Sequence, residues 1–411
     1  MRYVLNIVVV LCFSLQFGYG QVIRAQIVPQ DYIHESQSSL VFPGSMRTHD
    51  VFFQKMANLM LFGEGKINVV HFGGSHIQAD IYSNRMRQQL GSYLPNQQGA
   101  RGLVFPYKIA KTNGPYDYSV SYTGKWESVR NVNKSFATKL GASGISVYTS
   151  DTNSTMQFVF DRKKNLPHQF KRIIVLHELD SMAYDLRWLG SDSLAHIHHY
   201  PDSGFSVIEL AFPTDTLAIG LRKSDSLQNR FILYGLYLDN DEPGFTYNSI
   251  GVNGASTQSY LKCELFQPHI GVLRPDIVFF GIGINDAHGP NFTRQGYEQN
   301  YEKIIQQIKE VNPHTFFVFI TNNDSYGYNK KLNLNGGLVQ EALYNLAKKH
   351  NGAVWDLYEV MGGLKSANIW NARGLLKNDR IHFTMEGYNL IGDLLFNAIM
   401  EAYDNYLKLQ N

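Results

Sequence analysis

Apolar residues recur at three- and four-residue spacing over 50–62, where Val51, Phe52, Met56, Leu59 and Met60 mark one face of a helix. The run Ile67-Asn68-Val69-Val70-His71-Phe72 then reads as a buried strand, and 77–90 as a second helix whose N-terminus faces Ser75. Towards the C-terminus the two periods alternate: strands over 276–282, 315–320 and 353–357, helices over 294–311, 338–350 and 384–407. Strands separated by helices of ten or more residues predict a parallel sheet covered by helices, with ligands at the carboxyl ends of its strands.

The middle of the chain follows another rhythm. Between about Tyr116 and Asp239 short alternating runs predominate, among them 118–122, 156–160, 173–176, 206–210 and 231–234. Turn residues such as Asp151-Thr152-Asn153 and Pro201-Asp202-Ser203-Gly204 separate them at the spacing of a β-sandwich. This stretch predicts a jelly-roll-like β-sandwich inserted over 116–243. Residues 21–45 are mixed and turn-like, an extended lead-in across the surface.

With 411 residues the chain exceeds one usual core, and its 44% hydrophobic and 18% charged residues are those of a folded protein. The first twenty residues have the form of a secretory signal peptide: Arg2, an apolar run from Val4 to Phe17 broken only by Asn6, Ser14 and Gln16, then Gly18-Tyr19-Gly20. The run is short for a membrane span, and Cys12 lies inside it rather than after small residues. An exported protein, periplasmic or extracellular, with no stable membrane anchor after cleavage is therefore expected. Cleavage after Gly20 removes Arg2, so Lys plus Arg falls from 37 to 36 against 35 acids. That near-neutral balance gives no electrostatic reason for a nucleic-acid partner. Only Cys263 would remain, so the fold has to rest on its core and not on disulfides.

Four short segments carry candidate chemistry: Gly73-Gly74-Ser75-His76, Gly251-Val252-Asn253-Gly254, Gly283-Ile284-Asn285-Asp286 and Asp379-Arg380-Ile381-His382. A serine hydroxyl attacks an ester only with a base in reach, a group that orients the base, and donors for the oxyanion. Ser75, His382 and Asp379 supply these parts in that order, with Gly254 and Asn285 left as donors. Singly, each segment has a structural reading: a tight strand-to-helix turn at Ser75, a loop glycine at 254, a helix cap at Asn285, a solvated turn at 379–382. Their joint order is what the structural readings leave unexplained.

In that order the segments resemble the four motif blocks of the SGNH hydrolases, or GDSL-type esterases, over about 65–110 and 245–407. The resemblance implies a three-layer α/β/α flavodoxin-like domain split into 46–115 and 244–411 around the inserted β-sandwich. It implies Ser75, Asp379 and His382 as catalytic triad, and the N–H groups of Ser75 and Gly254 with the Asn285 amide as oxyanion hole. It further implies hydrolysis of short acyl esters without cofactor or metal. Gly74 departs from the family, which usually has aspartate before the serine. Ile77 stands where the second glycine of a Gly-x-Ser-x-Gly elbow would be, which argues against an ordinary α/β-hydrolase. Ser75 and Gly254 lie 179 positions apart. Some bacterial peptidoglycan O-acetylesterases carry a carbohydrate-binding-like β domain at this point, and the chain is similar to them in layout. The expected substrate is an acylated, in the first instance acetylated, glycan or another small ester. An O-acetyltransferase with the same triad and a carbohydrate-binding protein with a retired site stay open as alternatives.

Other residues invite chemistry less directly. Trp126 and Trp188 could stack on a sugar ring or fill the core of the sandwich. His196, His198 and His199 alternate as metal ligands can, but no carboxylate or cysteine joins them at ligand spacing, so a solvated face is the simpler reading. His71 and His76 flank Ser75 without the aspartate that His382 has nearby. The 13% aromatic content, with 25 Tyr and 25 Phe, suits a sugar-facing surface and a large β-core equally.

Overall fold

The computed structural model describes residues 22–92, 99–161, 169–190, 195–327 and 330–410; the leader expected over 1–20 lies outside them. A six-stranded sheet forms the centre, in the spatial order Leu40–Val41, Ala353–Trp355, Phe316–Ile320, Ile277–Gly281, Lys66–Gly73, Gly244–Gly251. All neighbours run parallel except the short edge strand Leu40–Val41, which pairs antiparallel with Ala353–Trp355. Counted along the chain, the five parallel strands lie in the doubly wound order 2-1-3-4-5, which reverses between Lys66–Gly73 and Ile277–Gly281. Such a reversal opens a crevice at the carboxyl ends of the strands.

Helices cover both faces. Asp50–Phe62, Ile81–Ser92 and Met385–Gln410 pack on one, where Phe53, Met86 and Leu395 share a core with Val69 and Val318. Phe266–Leu273, Arg294–Val311 and Gly336–His350 cover the other, with Ile270, Ile305 and Leu343 packed on Val70 and Phe280. Residues 102–239 build two antiparallel sheets of seven and four strands. The larger runs Ala195–Tyr200, Phe205–Thr214, Phe170–His177, Phe231–Asp239, Ile145–Thr149, Glu127–Arg130, with Gly102–Val104 also paired to Phe231–Asp239. The smaller runs Tyr118–Thr123, Thr155–Phe160, Thr216–Arg222, Asp185–Trp188. Val120, Phe158 and Ile219 of one sheet and Ile173, Ile208 and Leu233 of the other join the apolar core that also contains Val70 and Phe72. One continuous core therefore runs from the parallel sheet into the antiparallel pair.

The structure corrects the expected elements in several places. The helix expected over 77–90 is two pieces, Ser75–Gln78 and Ile81–Ser92, broken where Asp80 takes a φ of 51°. Ser75 thus starts a single helical turn and not a long helix. The strand expected over 353–357 stops at Trp355, because Asp356 caps a short helix, Leu357–Met361, by accepting the Glu359 N–H. Part of the extended lead-in is the edge strand Leu40–Val41. Strand Gly102–Val104 pairs into the antiparallel sheet although it precedes the expected boundary at 116.

Candidate active site

Three glycines, Gly251, Gly73 and Gly281, lie in one row across the carboxyl ends of adjacent parallel strands. A side chain at Gly251 would come within 2.2 Å of the Gln78 backbone nitrogen, so the turn carrying Ser75 lies directly on the Gly251 strand end. Above this row the separated segments converge. The Ser75 hydroxyl is 2.7 Å from His382 Nε2, and His382 Nδ1 is 2.8 Å from Asp379 Oδ2. The other Asp379 oxygen accepts the N–H groups of Ile381 and His382, both at 2.9 Å. Burial pushes the Asp379 carboxyl upward, but the His382 N–H, the His382 ring and the Ile381 N–H outweigh it and hold the group below the usual carboxylate range.

The 377–383 loop is pinned at its base by the bridge between Leu376 and Phe383, by Lys377 N–H donating to the His382 carbonyl (2.8 Å), and by Asn323 Nδ2 donating to the Ile381 carbonyl (3.0 Å). Its functional side chains stay open to solvent: 44% exposed for Asp379 and 29% for His382.

Asn285 reaches the same place from the strand end at Gly281. Its Nδ2 donates to the Ala255 carbonyl at 2.8 Å, and a Cβ on Gly74 would stand 3.0 Å from that nitrogen. Gly254 is exposed and takes a φ of 82°, a left-handed conformation that glycine adopts without strain. The next residue after Asn285, Asp286, accepts both the N–H and the hydroxyl of Thr257; burial raises its pKa to about 6 against these bonds. A polar cavity of about 270 Å³ adjoins Asn285, bounded by Ser256, Gln258, Asn291, Phe292 and Asn300.

The remaining candidates fall elsewhere. His71 is buried in the sheet with Nδ1 2.8 Å from the Tyr247 hydroxyl, and burial lowers its pKa to about 3. His76 bonds the Tyr388 hydroxyl at 2.8 Å, with its ring centroid 5.4 Å from that of His382; burial and then the His382 charge press it to about 3 as well. Both rings are neutral at physiological pH. Trp126 is a core residue whose Nε1 donates to the Thr123 carbonyl. Trp188 lines a cavity of about 670 Å³ with Tyr122, Met156, Gln157, Leu189 and Phe212. His196, His198 and His199 lie on the outer strand Ala195–Tyr200, and His199 Nδ1 is 2.8 Å from the Ser206 hydroxyl. Among the described residues no three His, Cys, Asp or Glu side chains come together as a metal site, and no helix is long and apolar enough to cross a membrane.

Sequence reasoning missed Gln78 and Asp80. Gln78 is buried and hydrogen-bonded to the segment that ends in Gly254; Asp80 is buried against Arg87 and Arg101. Both fell inside what read as a helix, and a glutamine on an amphipathic face carries no periodic signal.

A doubly wound sheet thus carries a Ser-His-Asp hydrogen-bonded chain at the carboxyl ends of its strands, an arrangement able to serve acyl transfer. Residues 225–390 match the model of the GDSL-like lipase/acylhydrolase family. The match spans Gly254, Asn285, Asp379 and His382 but not Ser75, which the fold brings to His382 across 307 positions. Among solved structures the chain is similar to a peptidoglycan O-acetylesterase, at 18% identity and a TM-score of 0.73 over 89% of this chain and 99% of that one. An acetyl xylan esterase (20% identity, 39% of this chain, 82% of that one, TM-score 0.31) and a lipase/acylhydrolase from Enterococcus faecalis (23%, 39%, 78%, 0.29) also match. No curated protein matches the chain in sequence.

Proposed function

We propose that the protein is an exported serine esterase that removes short acyl groups, acetyl in the first instance, from a polysaccharide or peptidoglycan. The observation that carries this reading is the unbroken chain from the Ser75 hydroxyl through His382 to Asp379, at 2.7 and 2.8 Å. His382 Nε2 takes the hydroxyl proton as Ser75 Oγ attacks the ester carbonyl, and Asp379 fixes the tautomer that leaves Nε2 free to accept it. The oxyanion is met by the N–H groups of Ser75 and Gly254 and by the Asn285 amide. His382 then protonates the leaving alcohol, and the acyl-enzyme is hydrolysed by water activated at the same nitrogen.

Two features support a polymeric substrate and water as acceptor. The exposure of Asp379 and His382 leaves the reacting groups at the surface, where a long glycan can lie across them and bulk water can reach His382. The reading of 116–243 as an inserted jelly-roll-like, carbohydrate-binding β-sandwich is supported by the two antiparallel sheets and by the fold similarity to a peptidoglycan O-acetylesterase over 89% of this chain. The leader-like first twenty residues support export.

Hydrolysis of p-nitrophenyl acetate, butyrate and octanoate by the protein and by Ser75→Ala tests this. Turnover should fall with acyl length and vanish in the variant while the thermal midpoint is kept. Near-normal turnover by Ser75→Ala would sink the assignment.

A further inference from the structure

Beside the triad lies a buried amide that the mechanism above does not use. Gln78 is three residues after Ser75 at the end of the same helical turn, and it is 1% exposed. Its Oε1 accepts the Asn253 backbone N–H at 2.7 Å. Its Nε2 donates to the Thr112 hydroxyl at 2.9 Å and to the Asn113 carbonyl at 2.8 Å. The Asn253 side chain closes the circuit by donating its own amide to the Asn113 side-chain oxygen. One side chain on the Ser75 turn thus ties together the segment before Gly254 and the 112–113 turn at the entrance to the antiparallel sheets. The absence of a side chain at Gly251 is what allows this, since any Cβ there would strike the Gln78 backbone.

We propose that Gln78 is a positioning residue for the oxyanion hole: by holding the Asn253 N–H it fixes the following peptide, whose N–H at Gly254 donates to the oxyanion. Gly254 is exposed and in the left-handed region, so nothing of its own side chain limits how that peptide turns. The restraint has to come from its neighbours, and Gln78 supplies one from the same turn as the nucleophile. Nucleophile and donor are thereby kept in register by a single buried group. The inference rests on the esterase reading, and its test separates the two.

Replacement by methionine keeps the size of the side chain and removes all of its hydrogen bonds, whereas Gln78→Glu keeps an acceptor for Asn253. In Gln78→Met, kcat for p-nitrophenyl acetate should fall about 10- to 100-fold with KM within about twofold, because an oxyanion donor is misaimed and not deleted. The affinity for phenylboronic acid, whose adduct with Ser75 places an oxygen in the hole, should fall by the same factor. Gln78→Glu should recover part of both losses. All values are taken per active site titrated with a fluorophosphonate, so a variant that merely folds poorly lowers the titre without changing kcat or boronate affinity per site. That result, or a boronate affinity unchanged while kcat falls, overturns the positioning role. If the methionine variant does not fold, the glutamate variant alone decides by whether kcat and boronate affinity shift together. Failure of the esterase reading looks different: Ser75→Ala would keep activity and the fluorophosphonate would not label the protein.

Discussion

The two sides of the candidate site are built from opposite materials. On the nucleophile side, the turn after Ser75 runs into Asp80, whose carboxylate is held by Arg87 (3.2 Å), Arg101 (2.6 Å) and the hydroxyls of Ser83 and Ser249. Arg101 also pairs with Asp117 at 2.6 Å, and the four charged side chains are all at most 4% exposed. On the base side, Asp379 and His382 stand on a solvent-exposed loop and are ordered by hydrogen bonds to each other and to the local backbone. Buried charge makes one side rigid and costly to disturb; the wet side costs little to disturb but, in the proposed mechanism, carries the proton. Damage to the first should therefore appear mainly as lost stability, and damage to the second mainly as lost rate.

The sharpest break of that contrast is Asp80→Ala. It leaves two arginines buried against one carboxylate, and removing one partner of a buried pair costs about 3–5 kcal/mol. A urea titration should show that loss, while kcat per titrated Ser75 stays within about tenfold. Burial alone would raise the Asp80 pKa, but Arg87 and Arg101 bring it to about 2. A depressed folded-state value contributes stability above the ordinary carboxylate range, and that contribution is lost only as pH falls towards 2. The variant should accordingly be weaker than the parent at every pH from about 4 upward. A denaturation midpoint equal to the parent's would show that the buried cluster is not what makes this side rigid.

Asp379→Asn is the matching test of the wet side, with a smaller free-energy effect. It turns an acceptor for His382 Nδ1 into a group that can favour the wrong tautomer, so kcat should fall about 10²- to 10³-fold. Stability should change by less than about 1 kcal/mol, as for other exposed pairs. Because the carboxyl sits below its ordinary range, it is ionised throughout neutral and mildly acidic assays, so its own titration adds no pH dependence to the loss between about pH 5 and 8. A large stability loss with little change in rate would reverse the contrast.

The wet side was the more legible of the two in the sequence, for a physical reason. Asp379 and His382 are three residues apart and interact locally, and helices such as Arg294–Val311 follow a strong 3.6-residue period that also marks their ends. The rigid side depends on contacts between distant residues. Strand Gly244–Gly251 escaped notice because Thr246 and Asn248 are buried polar residues in it, and the Asn248 side chain bonds the Val69 carbonyl and the Leu103 N–H. The break at Asp80 is set by Arg101, which is 21 residues away, and Gln78 is defined by Asn253 and Thr112. Hydrophobic periodicity reports which face is buried, not which buried polar group has found a partner.

Gly74→Ala sharpens the comparison at the smallest scale, because Gly74 lies where the two sides meet. A Cβ there would stand 3.0 Å from Asn285 Nδ2, closer than a comfortable contact, with its next neighbour, the Ala255 carbonyl oxygen, at 3.6 Å. The backbone around Gly74 is packed, so the Asn285 amide has to give way by a few tenths of an ångström, lengthening or turning its bond to the Ala255 carbonyl. A displaced oxyanion donor should lower kcat about three- to tenfold, well short of the loss from deleting a donor, with KM and the thermal midpoint little changed. Gly74→Asp, which installs the residue usual in the SGNH hydrolases that the motifs resemble, meets the same contact and should be no faster than the alanine variant. A gain in rate from either substitution would mean that Asn285 is poorly placed in the parent and that a bulkier neighbour corrects it, moving the weak point of the site from the loop at Asp379 to the oxyanion hole.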